Sequence, residues 1–354
     1  MKMKKKEWLE RHQIAVYAVA LAIGIAAGLV SEPFGRSMEW LISPLLAVLL
    51  YGMFTMIPFL QLREALANRR FVAALLLTNF VCVPLVVWGL LVLLPQSGAA
   101  LIGVCLVLLT PCIDYVIVFT ALGRGDEKAI TAATPLLFVL QMLLLPLYLR
   151  LFAGEEAAEL VKVEPFVEAF LMLIALPLAA AVLTQLWAKW ERSMRRSADS
   201  VSKTRKNGTG TRLLAAAAWL PVPFMALVLI AVTASQISRI AADPGPVLRV
   251  LPLYALFLLI MPLLSRLIGR LLRLDAGSGR ALIFSAFTRN SLVVLPLALA
   301  LPREAAAAAA AVIVAQTIME LIGELIYVRA VPGLIWRDTV QAGGTKGKER
   351  AVEV

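Results

Sequence analysis

The stretch Leu106–Phe119, LVLLTPCIDYVIVF, reads as a membrane span interrupted at its centre by Thr110, Pro111, Cys112 and Asp114. A carboxylate at that depth is costly and normally faces a protein interior. A proline there removes a backbone donor and clashes with the preceding turn. Broken backbone is tolerated in a bilayer only where it is buried in protein or lines a cavity. The rest of the chain supports a membrane setting. Its 354 residues are 61% hydrophobic and 16% charged, whereas charged residues make up about 25% of a soluble domain. Apolar runs recur at the length of about 20 residues that a spanning helix needs.

Runs and breakers predict ten spans, at 14–30, 41–59, 71–94, 99–119, 131–152, 165–186, 213–232, 250–267, 281–301 and 305–329. The basic start before Ile14 resembles a signal peptide but lacks a small-residue cleavage motif, so the first run is read as a retained span. With both termini cytoplasmic, the inside segments carry 27 of the 34 Lys and Arg and the outside segments six, Arg289 lying within an apolar run. That asymmetry fixes the orientation. It also gives the net charge of +11 a role in topology and at the lipid bilayer rather than with nucleic acid. The three cysteines lie inside apolar runs, so no disulfide framework is implied. The single histidine, His12, leaves no histidine-based metal site, and no cofactor is expected.

The basic loop 187–212 divides the chain. Residues 1–186 hold spans one to six, 213–337 hold spans seven to ten, and 338–354 form a cytoplasmic tail expected to be disordered. Counted as spans, the chain makes two sets of five, and in each set the fourth span is interrupted: by Thr110–Asp114 in the first, by Arg289, Asn290 and Ser291 in the second. Five is odd, so the halves are inverted. Interrupted spans at matching positions of inverted halves point to a transporter's midplane site. The expected fold is therefore an all-α integral membrane protein of ten helices in two inverted five-helix repeats, with broken helices four and nine crossing.

Within that site Cys112 offers a thiol suited to a soft ligand, although most membrane cysteines, Cys82 and Cys105 included, are small buried apolar residues. Asp114 is a candidate proton carrier, with Arg289 as its charge partner. Thr110, Asn290 and Ser291 offer donors and acceptors for a small hydroxylated solute, or satisfy freed backbone. Glu320 and Glu324 lie four residues apart, hence on one helix face with Gln316. Glu320 is read as a second proton carrier and Glu324 as solvated near the cytoplasmic end. Asn79 and Gln141 are read as interhelical glue.

LLTPCIDYVIVFTALGRGD (Leu108–Asp126) resembles the proline–cysteine signature of arsenite efflux permeases, within the bile acid:sodium symporter superfamily. AFTRNSLVVLPLALAL (Ala286–Leu301) resembles their ninth-span break, QTIMELIGELIYV (Gln316–Val328) their acidic last span, and YGMFTMIPFLQLREAL (Tyr51–Leu66) the end of the superfamily's second span. The resemblance implies arsenite recognition at Cys112, proton antiport as the coupling, and a last-span carboxylate at Glu320. It also places Val116 and Ile117 where the sodium-coupled branch carries a Ser-Asn pair, which speaks against sodium coupling of that type. The expected function is secondary export of arsenite, and of antimonite, in exchange for protons at the cell membrane. A carrier of an organic anion in the same superfamily stands as the alternative, favoured by the charge of Arg289. No nucleophile–base pair suggests an enzyme.

Overall fold

A computed structural model of the chain describes Trp8 and residues 12–57, 68–113, 115–160, 163–198, 208–242 and 244–337. Among these residues there is no β-strand, and seven helices are long and apolar enough to cross a membrane. Residues 58–66 of the second-span signature, residue Asp114 and the tail 338–354 lie outside the described residues.

The first run forms α1 (Gln13–Val30), followed by a short α2 (Glu32–Ser37) and by α3 (Glu39–Met56). The third is α4 (Arg69–Leu77) and α5 (Val83–Leu93), joined by a π-turn at Thr78–Cys82. Asn68 caps α4, its side-chain oxygen accepting the Phe71 N–H at 3.2 Å. The fourth run breaks into α6 (Gly98–Leu108) and α7 (Val116–Leu122), and α8 (Glu127–Leu160) follows, kinked at Gly154 where φ is 54°. Next come α9 (Val163–Phe170), a π-turn at Leu171–Ala175 and α10 (Leu176–Ala198). The second half comprises α11 (Thr209–Ala217), α12 (Pro221–Ala242), α13 (Gly245–Leu271), α14 (Ala276–Phe287), α15 (Ser291–Leu299) and α16 (Arg303–Ala330).

Two expectations change. The run 213–232 is not one helix: α11 stops at Ala217 and α12 starts at Pro221. Proline has no N–H to give the preceding turn and disfavours helical geometry at the residue before it, but it suits the first turn of a new helix. The connector 187–212 is shorter than its charge suggested, because α10 runs on to Ala198. Its Glu191 carboxylate accepts the Thr209 and Gly210 N–H groups at 3.1 and 2.9 Å, capping α11, where Gly208 has no side chain to do so.

The interior is largely apolar, but the exterior is apolar too. Large apolar side chains point outward, with Trp40 72%, Leu143 69% and Leu271 77% exposed, while Asn79, Thr110, Thr288, Arg289, Asn290, Ser291, Glu320 and Glu324 are buried. An apolar exterior of this extent fits lipid, not water. Inside, helices approach closely where glycine allows it. A Cβ on Gly28 would collide with the Ala234 carbonyl of α12, and one on Gly103 would lie 2.9 Å from the Ala309 carbonyl of α16. Small residues at such contacts let backbones pack in the absence of a hydrophobic drive between helices.

Candidate functional site at the two helix breaks

α6 ends where Pro111 withdraws its backbone donor. The Thr110 hydroxyl turns back onto its own helix and donates to the Leu106 carbonyl at 2.8 Å, with the Val107 carbonyl at 3.3 Å. α14 ends at Phe287, and Asn290 starts α15, its side-chain oxygen accepting the Val293 N–H at 3.3 Å. The two interruptions then satisfy each other. The Cys112 N–H donates to the Thr288 carbonyl at 3.1 Å, and the Asn290 N–H donates to the Thr110 carbonyl at 2.9 Å. This is a minimal antiparallel bridge, with Pro111 opposite Arg289. Backbone groups freed in both spans are thus paired across the break, as a low-dielectric interior demands.

Arg289 is fully buried. One guanidinium nitrogen donates to Asn79 Oδ1 at 2.8 Å and to the Ser285 carbonyl, and the other terminal nitrogen to the Leu108 carbonyl at 3.3 Å. The Phe257 ring of α13 lies 5.7 Å from the guanidinium carbon, within cation–π range. Asn79 sits in the π-turn of the third run and also donates to Ser285 Oγ at 3.1 Å. Asn79 is therefore the interhelical tie expected of it, and its acceptor oxygen serves the guanidinium. Asp114, the expected partner of Arg289, lies outside the described residues.

Glu320 and Glu324 both face the second break from α16. Glu320 Oε2 accepts the backbone N–H of Arg289 at 2.7 Å and the Gln316 side-chain N–H, and its Oε1 lies 2.6 Å from the Tyr115 hydroxyl. That hydroxyl is also 3.1 Å from the Arg289 carbonyl. Tyr115 was not singled out from the sequence; its only signal was a hydroxyl beside the first break. Glu324 is not solvated as expected but buried. Glu324 Oε1 is 2.6 Å from Thr288 Oγ1, which is in turn 2.6 Å from the Phe284 carbonyl. A threonine hydroxyl has one proton and a carbonyl has none to give. The Thr288 hydroxyl donates toward both, or donates to Phe284 and accepts from a protonated Glu324.

Several buried polar atoms around the second break have no partner among the described residues: Asn290 Nδ2, Ser291 Oγ, Arg289 Nε, Gln316 Oε1 and Glu324 Oε2. Buried polar atoms are nearly always hydrogen-bonded, so a group of orphans calls for an explanation such as water or a ligand. Gln141, on α8, is also buried with both amide atoms unpartnered. None of the three cysteines is in a disulfide; Cys105 and Cys112 are buried and Cys82 is half-buried.

No curated protein matches the chain. The model of the sodium bile acid symporter family matches residues 43–242, which is 200 of the 354 and holds the first break but not the second. Members of that family are transporters, and a multi-pass chain with polar groups gathered inside an apolar exterior agrees with that role. By the extent of this match, the chain belongs to the sodium bile acid symporter family.

Proposed function

We propose that the protein is a secondary transporter that exports arsenite, and antimonite with it, across the cell membrane in exchange for protons. In this reading ten spans form two inverted five-helix halves, both termini are cytoplasmic, and the solute binds where the two broken helices meet. The observation that carries it is the pair of buried donors left without a partner among the described residues, Asn290 Nδ2 and Ser291 Oγ, at the N-terminus of α15. At neutral pH arsenite is a small neutral trihydroxide. Its oxygens suit two such donors and the positive end of a helix dipole, and its hydroxyl protons suit the open Oε2 of Glu324. The Cys112 thiol, on the neighbouring break, supplies one soft ligand, enough for weak and reversible holding.

Exchange with protons follows if solute hydroxyls and protons compete for the same carboxyl groups. Glu320 Oε1 exchanges one hydrogen-bond partner, Tyr115, without releasing the two donors on Oε2. Asp114 is a further candidate for the coupling proton. A second reading, export or import of an organic anion, is favoured by the buried positive charge of Arg289 beside that same helix N-terminus.

Arsenite uptake into everted vesicles, with and without an imposed proton gradient, tests the proposal. Gradient-driven accumulation that disappears in Cys112→Ala, with unchanged protein level, is the expected result. Folded protein that moves no arsenite but accumulates a bile acid would replace it with the anion reading.

A further inference from the structure

The surroundings of the Arg289 guanidinium are those of a cation site. Its three acceptors among the described residues come from three segments: Asn79 Oδ1 from the π-turn, the Leu108 carbonyl from the end of α6, and the Ser285 carbonyl from the last turn of α14. All are neutral oxygens. Two are carbonyls at helix C-termini, where the macrodipole is negative. The carboxylate nearest in sequence space on α16, Glu320, bonds to the Arg289 backbone and not to its guanidinium. The Phe257 ring adds a negative π-face. Unwound backbone carbonyls and half-helix C-terminal ends are what transporters use to strip and hold a monovalent cation. Here that oxygen set encloses a charge that is covalently attached and cannot leave.

We propose that Arg289 is a tethered cation: its guanidinium fills, permanently, a site in which Asn79 Oδ1 and the Leu108 and Ser285 carbonyls would otherwise hold a mobile alkali cation. The consequence is that the fold keeps the positive charge needed to hold the two broken helices together, while transport has no use for a cation at this position. The inference rests on the geometry of the breaks and not on which solute is carried, so it stands or falls separately from arsenite export.

The test is thermal unfolding of the purified full-length protein in detergent, at constant ionic strength, with choline replaced stepwise by sodium, potassium or lithium, or by millimolar guanidinium. The wild-type midpoint is expected to be the same in every salt. Arg289→Ala is expected to unfold several degrees lower in choline and to regain most of that loss saturably with sodium or another alkali ion. Asn79→Ala added to Arg289→Ala is expected to abolish the recovery, since one of the three oxygens is gone. Several results overturn the proposal: Arg289→Ala recovered by no alkali cation, or by guanidinium alone, or failing to fold in every salt. An Arg289→Gln variant as stable as wild type in choline also overturns it, because the site would then need no positive charge.

Discussion

Glu320 holds the main chain of Arg289 and not its side chain. Oε2 accepts the Arg289 N–H at 2.7 Å, while the guanidinium turns away to Asn79, Ser285 and Leu108. The carboxyl group therefore has two separable tasks. It satisfies a backbone donor in the break, and it accepts the Tyr115 hydroxyl on an oxygen that can also take up a proton. A glutamine can do the first: its oxygen accepts from Arg289 and Gln316, and its amide donates to the Tyr115 oxygen, freeing that hydroxyl for the Arg289 carbonyl. It cannot do the second. Glu320→Gln should fold within about 1 kcal/mol of wild type and lose proton-driven transport. Glu320→Ala strands two buried donors at roughly 1–3 kcal/mol each and should lower the unfolding midpoint markedly. Calorimetry or thermal fluorescence on both variants, beside vesicle transport, separates the tasks. A Gln variant that still couples to protons would remove Glu320 from the coupling route.

Helix contact is as specific as the polar site. At Gly28 a methyl group would be driven into the Ala234 carbonyl and the Ile237 side chain, whereas at Gly89 nothing lies within 4 Å. Overpacking costs about 1–3 kcal/mol, and alanine in an open helix position gains about 0.8–1 kcal/mol over glycine. The same Gly→Ala change should thus destabilise at residue 28 and stabilise at residue 89. Unfolding midpoints that move in one direction for both would refute the close α1–α12 contact.

The all-helical membrane character and both breaks were legible because apolar length and a proline or a polar run act locally. Pro111 and the Thr-Arg-Asn run at 288–290 end helices whatever surrounds them. What touches Arg289 was not legible. Asn79 and Ser285 are 210 and 4 residues from it, and neither spacing marks a guanidinium acceptor. Their roles come from the π-turn of the third run and from the way α14 ends, which are properties of packing. Glu324 was misread for a related reason. Its position near the end of an apolar run suggested solvent, but its carboxyl group is buried and meets Thr288, which belongs to the second break. Gln316 and Glu320, by contrast, followed from helical periodicity alone and do bond to each other.

Outside the membrane the α14 start is set by Asp275. Its side chain accepts the Ser278 N–H at 2.9 Å and the Ser278 hydroxyl at 2.8 Å. Partial burial acts to raise its pKa, but the bonds from Ser278, from its own N–H and from Gly277 outweigh this and hold the carboxyl below its ordinary range. A carboxyl lowered in the folded state contributes stability above its unfolded value of about 3.9, and that contribution is lost as pH falls through the lower folded value. Asp275→Ala should cost about 1 kcal/mol at neutral pH, as for other N-caps. The gap from wild type should close below about pH 4. Midpoints measured from neutral to acid pH for wild type and Asp275→Ala check this; a gap that stays constant with pH would mean that the charge of Asp275 contributes nothing.

The Glu324–Thr288–Phe284 chain makes a prediction about a single proton. A protonated Glu324 that donates to Thr288 gives each of the two 2.6 Å contacts at Thr288 Oγ1 its own proton, and the prediction is that Glu324 holds one. The unpartnered Oε2 points the same way, since a buried charged oxygen with no donor is far more costly than a neutral one. Glu324→Gln preserves a donor toward Thr288 and should leave the unfolding midpoint nearly unchanged. Glu324→Ala leaves the Thr288 oxygen without that donor, opens a cavity and should cost about 2 kcal/mol or more. Infrared spectroscopy reads the proton directly. Wild-type protein at neutral pH should show the carbonyl stretch of a protonated carboxylic acid that is missing from Glu324→Gln, with Glu320→Gln as the control for the neighbouring group. If the band survives in Glu324→Gln and vanishes in Glu320→Gln, the stored proton belongs to Glu320, and the Thr288 hydroxyl is shared between the Phe284 carbonyl and Glu324.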